Sequence, residues 1–390
     1  MKLSKLVDRI SGEGAEAWDI HVKAQRAADE GKDVIVLSVG DPDFPTPAPI
    51  IDKAVQHLKQ GDTHYASVPG RDILRQTIAA DFEKRTGVTT ERDNVFVFAG
   101  TQNALFSTSL ILLDHGDEVI ALEPMYVSYE ACLQIGGARM VPVAQPAEND
   151  FRPDINLIEA AINERTKAIV ITTPNNPTGV VMTYDELAAI AKLAVEHDLW
   201  VISDEVYTDV IFEGEHISIA SLPGMAERTV TVNSLSKSHA MTGWRSGWSI
   251  APKILAKHYD NLALCMLYGL PGFIQEAAVH ALTDERDASL KMRDIYRRRR
   301  DLVCDELAKA RHLPVLKPEA AMYVMVDVRH YFDNGNEFSQ ALYHATGVSV
   351  LDAGAFGKSA YGWVRISFTL SDASLKDACQ RIVQFLATLS

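Results

Sequence analysis

A chain of 390 residues, 47% of them hydrophobic and 23% charged, has the composition of a globular enzyme and is too long for one small core. Its formal net charge of −14 excludes a general nucleic-acid binder, which needs clustered Lys and Arg. No run of about 18 uncharged apolar residues is present to span a membrane. The opening Met-Lys-Leu-Ser-Lys-Leu-Val-Asp-Arg-Ile breaks its apolar pattern with charges and lacks the core of a signal peptide, so a cytoplasmic protein is expected.

Residues 1–47 close in Gly40-Asp-Pro-Asp-Phe-Pro-Thr-Pro, a stiff, turn-rich crossing strip. Beyond it, short β-branched runs alternate with helical patterns. The strand candidates are Val95–Ala99, Glu118–Leu122, Ala138–Val143, Ala168–Thr172, Trp200–Asp204, Thr229–Asn233 and Gly247–Ala251. Helical patterns fall at Gln102–Leu113, Tyr184–Glu196 and Pro252–Asp260, the last opened by a proline suited to a first helical position. The alternation predicts a large α/β domain over residues 48–285, with a mostly parallel seven-stranded sheet. Its ligand is expected beyond the carboxyl ends of the strands.

After about Arg286 a long charged helix (Leu290–Ala310) precedes strand-like Met322–Asp327 and Trp363–Phe368, and an amphipathic helix (Ser374–Leu389) closes the chain. These predict a smaller C-terminal α/β domain over residues 286–390, with the N-terminal 47 residues as a separate segment. The one dense basic run, Arg297 to Arg300, reads as a solvated face of the long helix. Cys132, Cys265, Cys304 and Cys379 are scattered without metal-ligand spacing. They predict buried free thiols and no metal site.

The residues that suggest chemistry follow these strands. Lys237 lies in Ser234-Leu-Ser236-Lys237-Ser-His-Ala-Met-Thr-Gly-Trp-Arg245, a cluster too polar for core. Ser234 and Ser236 supply hydroxyls and Arg245 a guanidinium fork suited to phosphate. An amine nucleophile beside a phosphate anchor is what pyridoxal 5′-phosphate (PLP) requires. Asp204, closing an apolar strand in Asp204-Glu-Val-Tyr207, could keep a pyridine nitrogen protonated, with the Tyr207 phenol near the ring oxygen; a helix N-cap is the alternative. In Thr173-Pro-Asn-Asn176-Pro-Thr-Gly179, Asn176 could donate to that same oxygen, although turn residues alone would explain the prolines and glycine. Gly100-Thr101-Gln102 joins a strand to a helix whose first N–H groups can hold an anion. Arg365, within a strand pattern, suits a bidentate grip on a carboxylate, with an edge-strand arginine as the alternative.

Taken together, Ser-x-Ser-Lys237, Gly-Trp-Arg245, Asp204-x-x-Tyr207, Pro-Asn-Asn176-Pro-Thr-Gly and Arg365-Ile-Ser-Phe resemble the class I/II aminotransferases of PLP fold type I, over nearly the whole chain. The resemblance implies that Lys237 binds PLP as a Schiff base and shuttles protons in a ping-pong cycle. It further implies that Tyr126 stacks on the cofactor and that Gly40 contacts the substrate carboxylate. Tyr65 would reach the phosphate of a neighbouring subunit, making the active unit a homodimer.

Where relatives acting on aspartate commonly carry a lysine, this chain has Gln102. The segment from Gly12 to His21 is placed by the resemblance beside the side-chain pocket. It offers Trp18 with Glu13, Glu16 and Asp19, a cradle for a cationic side chain or simply an acidic helix start. Ala-Trp-Asp-Ile-His and Leu-Ala-Leu-Cys265-Met-Leu-Tyr-Gly are similar to segments of bacterial arginine–pyruvate aminotransferases. A basic L-amino acid, first arginine, is therefore the expected donor and pyruvate the acceptor. The alternatives are donors such as aspartate, alanine or an aromatic amino acid, or a PLP lyase of the same fold.

Overall fold

A computed structural model describes residues 2–4, 6–9 and 18–389. Its thirteen strands are β1 (Ile35–Val36), β2 (Val95–Phe98), β3 (Glu118–Glu123), β4 (Arg139–Ala144), β5 (Thr166–Thr172), β6 (Trp200–Asp204), β7 (Thr229–Ser234), β8 (Gly247–Ile250), β9 (Val315–Leu316), β10 (Tyr323–Asp327), β11 (Val348–Ser349), β12 (Leu351–Asp352) and β13 (Trp363–Ser367). Seven of them form one sheet in the order β2-β8-β7-β6-β5-β3-β4. Only β8 runs antiparallel to its neighbours. The seven predicted strands are these seven, each displaced by two residues at most.

The physical reason is visible strand by strand. Inner strands such as β3 and β8 are buried along their whole length, as expected where helices cover both faces. Along β3, Val119 and Ala121 join one core cluster and Ile120 and Leu122 another, the alternation that a pleated strand imposes. Only β4, at the edge, is largely exposed, and it contains Pro142, which a central ladder would not tolerate.

A second, four-stranded sheet has the order β12-β13-β10-β9 and is antiparallel throughout. The N-terminal strip joins it through parallel pairing of β1 with β11 and through the Ser367 amide, which donates to the Leu37 carbonyl at 2.9 Å. Ile35 and Leu37 share one hydrophobic core with Val324, Val348 and Val364.

Three expectations need correction. Pro252 precedes a short 3-10 turn, Lys253–Leu255, and the α-helix starts only at Ala256, because Pro252 itself is extended at ψ 139°. The basic run is not a solvated face. The helix Arg286–Leu307 turns about 100° per residue, so Arg297 and Arg298 point outward while Arg299 and Arg300 are only 6% and 3% exposed. Arg299 grips both oxygens of Asp43 at 2.7 and 2.9 Å, and Arg300 donates to the Pro318 carbonyl at 3.0 Å and pairs with Glu213 at 2.8 Å. All four cysteines are free, but Cys265 is exposed and Cys304 half-buried rather than buried. Among the described residues, no helix is long and apolar enough to cross a membrane.

Candidate active site

The carboxyl ends of β5, β6 and β7 and the turn after β2 converge on a cavity of about 500 Å³. Parallel strands with crossover connections bring distant segments of sequence to one edge of the sheet. The wall includes Trp18, Gly40, Thr101, Gln102, Tyr126, Asn176, Asp204, Tyr207, Ser234, Ser236, Lys237, Arg245 and Arg365. Thirteen of the fifteen candidate residues are therefore brought together.

One end is built for an anion. Thr101 opens the helix Thr101–Leu112, and its buried hydroxyl has no partner. Ser234 and Ser236 lie close by, and Arg245, in the left-handed region at φ +53°, donates to the carbonyls of Thr242 at 2.7 Å and Ala99 at 3.3 Å. Gly100 is not on the wall, but a Cβ there would lie 2.4 Å from the Arg245 guanidinium, and its φ of +85° disfavours any side chain. Its absence of a side chain is what lets Arg245 close the cradle. Lys237 extends across the cavity, its Nζ donating to the Gly40 carbonyl at 2.7 Å.

Asp204 lies on the floor. Its Oδ2 accepts from the Tyr129 hydroxyl at 2.6 Å and its Oδ1 from the Val206 amide at 3.2 Å. Burial pushes the carboxyl up to about 6, against the downward pull of those hydrogen bonds. A buried carboxylate held this way is completed by a cationic N–H. Beside it the Tyr207 hydroxyl meets the Asn176 amide at 3.4 Å and the Tyr323 hydroxyl at 3.1 Å, and burial raises the Tyr207 phenol well above its ordinary range. Burial also raises the Tyr126 phenol.

Arg365 is 1% exposed, yet it has no carboxylate partner among the described residues. Its guanidinium donates to the Asn176 side-chain oxygen and the Ser38 carbonyl, both at 2.9 Å, between the rings of Tyr323 at 4.2 Å and Phe356 at 4.7 Å. Its Nε has no acceptor among the described residues. A buried, uncompensated cation is costly, so the site is shaped to receive an anion. Gly40 leaves room beside it, since a Cβ there would lie 2.1 Å from the Tyr323 hydroxyl. Gln102 is held between the Ser128 hydroxyl at 2.9 Å and Cys132 at 2.7 Å.

Tyr65 is not in the cavity. It is 85% exposed and packs at a tilt against the Tyr268 ring, centroids 4.8 Å apart, in a separate surface depression. Asp19 opens its helix and is exposed, off the wall, whereas Glu13 and Glu16 lie outside the described residues. Sequence reasoning missed Tyr129, Thr172, Thr242, Tyr323 and Asp41, all on the wall. Tyr129 was signalled by the Tyr126-Val-Ser-Tyr129 repeat, and Tyr323 by a polar aromatic opening a strand that pairs with the strand of Arg365.

An amine, an anion cradle with an orphaned hydroxyl and a buried carboxylate together match the aldehyde, phosphate and ring nitrogen of PLP. The family model of aminotransferase class I and II matches residues 32–382, and the chain belongs to that PLP-dependent family. Among its relatives, the arginine–pyruvate transaminase AruH of Pseudomonas aeruginosa is 49% identical over 389 residues, covering 100% of this chain and 99% of that one. The aromatic-amino-acid aminotransferase 2 of Thermococcus litoralis is 37% identical, covering 90% of this chain and 92% of that one. Of solved structures, the aspartate aminotransferase of Thermus thermophilus with maleate superposes with a TM-score of 0.93 at 35% identity, covering 99% of this chain and 100% of that one. The protein is thus a PLP-dependent transaminase, moving an amino group from an amino acid to a keto acid.

Proposed function

We propose that the donor is a basic L-amino acid, foremost arginine, and the acceptor pyruvate. The observation that carries this reading is the 49% identity, along the entire chain, to a relative named for that reaction. The glutamine at position 102 agrees with it, because a neutral amide engaged by Ser128 and Cys132 supplies no cation for a distal carboxylate.

Bound in the cavity, PLP supplies the electron sink that lets an amino acid lose its Cα proton. Lys237 would hold the cofactor by its aldehyde, and its amine would serve as the base that takes the donor's Cα proton. Asp204 holds the ring nitrogen protonated, oriented by Tyr129. Tyr207 and Asn176 donate to the ring oxygen, and Tyr126 covers the ring face. Thr101, Ser234, Ser236 and Arg245 hold the phosphate, with the Gln102 turn at the helix start. Arg365 and Gly40 receive the α-carboxylate, and Trp18 borders the side-chain space.

The same reading makes the active unit a homodimer in the cytoplasm. Supporting it, Tyr65, Leu264, Met266 and Tyr268 are all exposed large apolar or aromatic side chains, and the Tyr65 and Tyr268 rings pack together at 4.8 Å. Tyr65 would then act at the partner's cofactor. Residues 48–285 constitute the cofactor domain, residues 286–390 the small domain, and residues 1–47 a segment that travels with the latter. Steady-state kinetics with a panel of donors and pyruvate tests the reading. A clear preference for arginine is expected; preference for aspartate or an aromatic donor, with arginine inert, would overturn it.

A further inference from the structure

The charges on the cavity wall can be matched one by one. Its cations are Lys237, Arg245 and Arg365, and its anions are Asp204 and Asp41. Lys237 and Arg245 would face the cofactor's aldehyde and phosphate, and Arg365 the donor's α-carboxylate. Asp204 lies on the floor, committed to Tyr129 and Val206. Among the described residues of the wall, Asp41 alone is left without a charged counterpart. It is exposed and makes no ion pair or hydrogen bond among the described residues.

The position of Asp41 is constrained. Its peptide nitrogen is bonded to the carbonyl carbon of Gly40, whose oxygen accepts from Lys237 Nζ at 2.7 Å. Asp41 therefore directly follows the residue that the Lys237 amine touches, and both Asp41 and Trp18 line the cavity. A carboxylate and an aromatic ring lining one cavity are the two kinds of group that a guanidinium uses best, through parallel hydrogen bonds and stacking.

We propose that Asp41 is the specificity-determining residue that receives the cationic end of the donor side chain, with Trp18 as the surface on which it lies. This rests on the reading of the enzyme as a basic-amino-acid transaminase. Asp19, which the sequence offered for this role, is off the wall, and Gln102 is occupied by its own neighbours. An open carboxylate is screened by water; a donor seated over it removes that water and strengthens the contact.

The test compares kcat/KM for arginine with that for methionine, an unbranched neutral donor, in the PLP-loaded wild type and in D41N, D41E and D41K. The arginine-to-methionine ratio is expected to fall roughly tenfold in D41N, mainly through KM. D41E should keep most of the ratio, and D41K should raise the use of glutamate relative to arginine, a gain that damaged folding cannot imitate. An unchanged ratio in D41N and D41K, including an equal loss for both donors, overturns the proposal while leaving the donor reading intact. A wild type indifferent to arginine overturns the donor reading and this inference with it.

Discussion

The floor and the rim of the same cavity are built on different principles. On the floor, Asp204, Tyr207, Asn176 and Arg365 are all buried, and each is tied to another side chain or to backbone. At the rim, Asp41 is exposed, with neither hydrogen bond nor ion pair among the described residues, and Trp18, half-buried, contributes a ring edge to His21 at 5.8 Å. A preorganised floor has the charges of the reaction already arranged before substrate arrives. On the reading proposed above, the rim would instead discriminate between donors whose side chains differ. Chemistry common to the family therefore resides in the buried network, and choice of donor in the solvated wall.

That contrast can be broken from the floor upward. The largest loss is expected for Lys237→Ala, whose kcat should fall by roughly 10⁴-fold or more, since both anchor and proton carrier disappear; single-turnover kinetics would reveal it. Arg365→Ala should lower kcat/KM by roughly 10²- to 10³-fold by removing a desolvated carboxylate partner. Lysine should not rescue it, because it lacks the fork that binds Asn176 and Ser38 along with an anion.

The next effect is on stability. Asp204 rises from its ordinary 3.8 to about 6 in the folded protein, so the fold binds its proton more tightly than the unfolded chain does. In cofactor-free protein that stabilisation is complete below about pH 4 and is lost as pH rises through 6, about 2–3 kcal/mol in all. Denaturant titrations should show the excess of wild type over Asp204→Asn shrinking across that window; a constant difference would contradict it. The smallest floor effect is expected for Tyr129→Phe, roughly a tenfold loss of kcat/KM. Because the Tyr129 hydrogen bond holds the Asp204 carboxyl down, its removal should also move the acidic limb of the pH profile upward.

Most of the floor was legible from sequence because Asp204 closes and Asn176 and Tyr207 follow strands of the large sheet, and parallel strands deliver their ends to one place, while Arg365 stood out as a charge inside a strand pattern. Tyr323 escaped that logic, since it reaches Tyr207 only through a second sheet 116 residues later in the chain. Arg299 and Arg300 were misread because composition carries no helical phase; only packing against Asp43 and Phe212 shows which arginines turn inward. Asp41 was hidden inside a proline-rich strip that looked like a simple crossing. Tyr65 was singled out only through the resemblance, and in one chain it lies exposed, outside the cavity.

The most direct test of the account is to titrate the PLP-loaded enzyme with single amino acids, without any keto acid, and follow its visible absorbance. Arginine should convert the pyridoxal band fully to the pyridoxamine form, and pyruvate should then restore it. A band that arginine leaves unmoved while aspartate converts it would contradict the account.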